Sequence, residues 1–134
     1  MPAPTDAGEH FLDNAREQFA KLRAQAEAAL AQVDDAAFFR VPAEEANSIA
    51  LIVKHMAGNA LSRWTNFLTE DGEKPTRDRD TEFELAPGAD TRAALMARWA
   101  RGWAALDTAL APLTAADLMR TVTSAASRTR SRRR

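Results

Sequence analysis

The sequence predicts an all-α fold, arranged as a single helical bundle, and three observations lead there. Helix-favouring alanine, leucine, arginine and glutamate dominate, whereas tyrosine is absent and isoleucine and valine are scarce. Three long stretches repeat large apolar residues every three or four positions, the period of one helix face. The 134 residues fit one domain and suffice for a buried core. With no cysteine, a disulfide framework, a thiolate metal site and a cysteine nucleophile are excluded. The opening Met-Pro-Ala-Pro-Thr-Asp has no basic segment followed by an apolar run, and no stretch of membrane-spanning length is apolar throughout. A cytoplasmic location is the expectation.

Residues 1–8 read as a flexible start, and 9–33 as the first helix. Leu12, Ala15, Phe19, Leu22, Ala26, Leu30 and Val33 form its apolar stripe. Asp34, Asp35 and then Pro42 end it, and the linker carries Phe38 and Phe39, which should fold back onto the bundle. The second helix starts at Asn47 or Ser48, either able to accept a first-turn amide. It carries Ile49, Ile52, Val53, Met56, Ala60, Trp64 and Phe67 on one face and closes at Asp71, Gly72 and Pro75. A long charged connection spans 69–90 and is either functional or packed down by Phe83 and Leu85. The third helix follows from about Thr91, with Leu95, Trp99, Trp103, Leu106 and Leu110 inward and Pro112 as its stop. Thr114 and Asp117 form a capping signal for one further turn.

The chain closes on eleven residues, 124–134, holding five arginines, no acid and no large apolar side chain. Removing those five arginines from a net charge of −1 leaves a body at −6. The domain expectation is therefore a bundle over 9–123 and a disordered basic tail over 124–134. That tail would grip phosphate if it bound nucleic acid, but it has no interleaved aromatic and no recognition motif. Nucleic acid is an unlikely partner.

One polar stripe on the second helix draws together Ser48, His55, Asn59, Ser62 and Asn66. It lines either a wet cleft or an ordinary solvated face. Trp64, Trp99 and Trp103 read as core and rim, with a cleft as the alternative. Arg77 and Arg79, with Asp80 and Glu82, either receive an anionic substrate or pair at the surface.

The stretches N-S-I-A-L-I-V-K-H-M-A-G-N, residues 47–59, and R-W-T-N-F-L-T-E-D-G-E-K-P-T-R-D-R-D-T-E-F, residues 63–83, resemble the DinB-like, or YfiT-like, metalloenzyme superfamily. The resemblance covers roughly 9–123 and points to an uncharacterised bacterial branch. It implies an up-down four-helix bundle, often dimeric, that holds nickel or zinc through three histidines. His55 matches the ligand of the second helix. The other two belong to a fourth-helix H-x-x-x-H pattern that this sequence lacks, and His10 matches no ligand position. Characterised relatives include thiol-dependent transferases and isomerases acting with low-molecular-weight thiols, and most members have no assigned reaction.

The resemblance thus implies three of four helices, the fourth replaced by the basic tail. A reading-frame shift just after Thr123 would turn a family-like I-R-G-E-P-H-S-V into Ser124-Ala-Ala-Ser-Arg-Thr-Arg130, and such a shift in the gene or its record is the expectation. A missing helix uncovers five or six large side chains, at about 1.5–3 kcal/mol each. That is roughly 10 kcal/mol, comparable with a whole domain's stability. Self-association through the uncovered apolar groove, as a homodimer, is expected. So is a catalytically incomplete form of a metal-dependent transferase or hydrolase that does not itself bind the divalent metal. The alternative is an active enzyme completed by dimerisation. No catalytic residue is assigned.

Overall fold

A computed structural model describes residues 6–72, 74 and 77–122. The basic tail, with the expectations attached to it, lies outside the described residues. Among those, the fold is all-helical, with no strand. Helix α1 spans Ala7–Ala31, the short α2 Asp35–Phe39, α3 Ile49–Trp64 and α4 Arg92–Leu110. Two 3₁₀ helices, Thr81–Phe83 and Ala115–Met119, flank α4.

Each α-helix begins where a short polar side chain takes a first-turn amide. Asp6 accepts from Glu9, Asp34 from Ala37, Ser48 from Leu51 and Thr91 from Ala94. Thr114 and Asp117 close the expected capping box. The linker after α1 is not irregular: it winds into α2 and buries Phe38 completely, leaving Phe39 partly exposed. Phe38, Ala50, Val53, Leu95 and Trp99 form the central core, with Ala26, Leu30 and Val33 of the α1 end packed against it.

Two arginines tie the helix ends together. Arg16 donates to the carbonyls of Leu110 and Leu113 at the end of α4, at 2.8 and 2.9 Å. Arg92, at the start of α4, donates to Leu30 and Val33 at the end of α1. Helices α1 and α4 therefore run in opposite directions. Helices α3 and α4 run the same way: Val53 clusters with Trp99, and Gly102 lies against Ala57 and Ala60. A Cβ at Gly102 would sit 3.1 Å from the Ala60 Cβ and 3.3 Å from the Ala57 carbonyl, so glycine permits this close crossing. The simple alternation of an up-down bundle thus breaks at the third long helix.

That shared direction explains the long connection. Helix α3 ends at Trp64, seven residues before the expected Asp71, because Thr65 is extended and Asn66 turns left-handed at φ 52°. The chain then travels back beside α3. Gly72 and Lys74 lie at Ser62, Glu82 at Gly58, and Glu84 and Asp90 at Lys54. The described residues of 65–91 form a return segment that lets α4 start beside the beginning of α3.

Candidate functional site

The return segment places charge inside the molecule. Glu82 is 2% exposed and its carboxylate lies against Gly58, where a Cβ would approach it to 2.8 Å. Arg77, buried beside it, donates three hydrogen bonds at 3.0–3.2 Å through Nε and Nη2. A buried carboxylate is tolerated only with such pairing. His55 sits on the other side of Glu82, with Nδ1 3.8 Å from Oε1. That nitrogen is buried and makes no hydrogen bond among the described residues. The imidazole stacks on Phe83 at 4.8 Å between centroids. With Nδ1 turned to Glu82, Nε2 is the nitrogen left for anything entering from outside.

His55 opens onto a groove of about 340 Å³ whose walls include Phe19 of α1, Met56 and Asn59 of α3, and Trp99 and Trp103 of α4. Around this side the fold leaves apolar surface in water: Ile52 and Met56 are 46% and 45% exposed, and Phe83 50%. Leu22, on the α1 stripe of Phe19 and Ala26, is likewise exposed. Trp99 is buried and donates its indole N–H to Glu27 at 3.2 Å. That bond is secondary to the Arg23 guanidinium, whose hydrogen bond chiefly holds the Glu27 carboxyl below its ordinary value.

A second charged joint lies nearer the start of α3. Lys54, buried, donates to the Glu84 carbonyl at 2.6 Å and to Asp90 at 2.7 Å. Burial alone would raise the Asp90 pKa. The hydrogen bonds from Lys54 and from the Ala86 amide outweigh it, and the carboxyl ends below its ordinary value.

The polar stripe read from the sequence is divided by the structure. His55 and Asn59 share the groove. Ser48 is buried as the α3 cap, not a cleft wall. Ser62 is buried too, its hydroxyl donating to the Gly72 carbonyl of the return segment. Asn66 lies past the helix end, where the left-handed turn takes it off the stripe. Arg77 is an interior residue of the Glu82 pair, whereas Arg79 lies in an exposed turn. Lys54, Glu82 and Asp90 were not singled out as structural charges by the sequence. The signal was Gly58, a glycine in mid-helix that marks the close approach of another group.

Nickel or zinc, implied by the resemblance, asks for three converging ligands plus an open position. Among the described residues no group of three His, Cys, Asp or Glu side chains is placed to hold a metal ion. His55 and Glu82 approach one another, but Glu82 is engaged by Arg77. The described donors do not fit the metal, and no chemical step through it follows.

The fold and site define a class: a helical-bundle domain with a histidine at the lip of an apolar groove and a buried ion pair behind it. Within it, the chain belongs to the family described as protein of unknown function (DUF1572), whose profile matches residues 6–129. No curated protein and no solved structure matches the chain. Among the described residues no helix is long and apolar enough to cross a membrane.

Proposed function

We propose that this protein is a DinB-like bundle that works as a pair, with the groove beside His55 covered by the same face of a second copy. The carrying observation is the row of half-exposed apolar side chains, Ile52, Met56 and Phe83, beside an open groove walled by tryptophan. Residues 124–134 contain no large apolar side chain, so that segment offers no apolar face to fill the groove. A second copy offers the identical surface, as an isologous contact requires. Burying the remaining exposed halves of Leu22, Ile52, Met56 and Phe83 contributes about 3–6 kcal/mol per copy, or about 6–12 for the pair. Association itself costs about 4–15 kcal/mol. The two are comparable, so pairing depends on protein concentration.

In this reading the single chain is catalytically incomplete, with His55 as one ligand of a transferase or hydrolase site that needs more. Cofactor activation of water or substrate would require a closed, shaped ligand set. The test is sedimentation velocity over a concentration series, for the natural chain and for Ile52→Glu with Met56→Glu. Both positions are exposed, so the variant should keep its helical circular dichroism and lose the dimer. A natural chain that stays monomeric throughout the series refutes the proposal. The same preparations, melted with nickel or zinc, address the rival reading of an enzyme completed by dimerisation. A melting temperature raised by metal in the natural dimer but unmoved in His55→Ala would favour that rival.

A further inference from the structure

Beyond the Arg77 end of the buried pair the return segment forms a second concavity, separate from the His55 groove. It has a volume of about 270 Å³ and is lined by Ser62 and Thr65 at the end of α3, by Lys74 and Arg77, and by Arg98 of α4. We infer that this basic cavity binds a small dianionic oxyanion of the phosphate-ester class.

The charge inventory carries the argument. Lys74 donates to the carbonyls of Ser62 and Asp71, which fix its ammonium in place without neutralising it. Arg98 helps to lower the Asp90 pKa through its field, but forms no ion pair among the described residues. Arg77 is balanced by Glu82 through Nε and Nη2, and its side chain also lines the cavity. Lys74 and Arg98, neither in an ion pair among the described residues, thus line one cavity, with Arg77 as a third cation held by Glu82. Guanidinium groups suit phosphate oxygens, and a lysine supplies a point charge alongside. The nearby C-terminal end of α3 opposes an anion by about 0.3–1 kcal/mol, a smaller effect than one charge-assisted hydrogen bond at about 1.5–3 kcal/mol. A phosphate monoester at neutral pH carries about −1.5 to −2, which suits a lining with two cations outside any described ion pair better than the single charge of a carboxylate.

The test is calorimetric titration of the full chain with inorganic phosphate, then with acetate, at constant ionic strength balanced by chloride. Saturable phosphate binding is expected, tighter than acetate. Arg98→Ala and Lys74→Ala should each weaken it about tenfold or more, the loss of one charge-assisted hydrogen bond. Arg98→Lys should restore part of the affinity. Arg101→Ala, an exposed cation on the same helix, should change nothing. Circular dichroism checks that each variant is folded, and Arg98→Ala leaves the described backbone contacts of Lys74 intact. Absence of saturable heat overturns the inference, as does an equal loss in Arg101→Ala. Acetate binding as tightly as phosphate overturns the dianion assignment.

Discussion

Replacing Gly58 by alanine separates two accounts of α3 by the sign of one number. On an exposed helix the change is stabilising by about 1 kcal/mol, because alanine loses less backbone freedom. Here the new Cβ would lie 2.8 Å from both the Cδ and one oxygen of Glu82, and 3.0 Å from the other oxygen. A carboxylate at the end of a solvated side chain would swing aside. Glu82 is 2% exposed and held by three hydrogen bonds from Arg77, so moving it disturbs a buried charge pair. Breaking such a pair costs about 3–5 kcal/mol. Subtracting the helix gain leaves a net loss of about 2–4 kcal/mol, read as a lower urea midpoint at unchanged slope. A double-mutant cycle makes the cause explicit. In a Glu82→Ala background the clash is gone, and Gly58→Ala should be neutral or stabilising, although that background is itself less stable with Arg77 left unpaired. A stabilising Gly58→Ala in the natural sequence would refute the packing of Glu82 on α3.

Three further outcomes rest on separate joints. Arg16→Ala removes the donor to the Leu110 and Leu113 carbonyls and should lower unfolding free energy by about 1–3 kcal/mol, with faster amide exchange at the end of α4. Ser48→Ala should cost about 1 kcal/mol in a thermal or urea melt, since the buried hydroxyl is the only described acceptor for the Leu51 amide. Asp90 is lowered in the folded state from its ordinary value of 3.8, despite burial that raises it, so its contribution is full above that value. It is lost as pH falls through the lower folded value, so the stability gap between the natural chain and Asp90→Asn should narrow on acidification from about pH 6 to pH 3. A constant gap over that range would remove Lys54–Asp90 as the cause.

The starts of α3 and α4 were legible in single residues, whereas the Asp6 cap of α1 and the whole of α2, capped by Asp34, were not. Ser48 and Thr91 stand immediately before an apolar period, and the structure uses both as caps. The end of α3 was not legible, since Phe67 continues the apolar spacing of Trp64 while the backbone has already turned at Asn66. Periodicity reports what a helix would bury, not whether the chain still has a reason to be helical. The polar stripe failed for a related reason. Ser62 belongs to it by spacing, yet the return segment covers that side of α3, and whether a polar face meets water or another backbone is settled by distant residues. Glu82 illustrates the same limit. In a run as charged as Arg77–Asp78–Arg79–Asp80–Thr81–Glu82, nothing local distinguishes the acid that will be buried from those that stay wet.

The common direction of α3 and α4 connects these features. Two helices that run the same way and follow one another in sequence need a connection at least as long as the first, and here it lies along α3. Lys54 on Glu84 and Asp90, Glu82 over Gly58, and Lys74 on Ser62 each fix one point of that path. The same fixed points bring His55 within 3.8 Å of Glu82 on one side and line a cavity with Arg77 on the other. The Arg77–Glu82 pair therefore stands between the groove and the basic cavity.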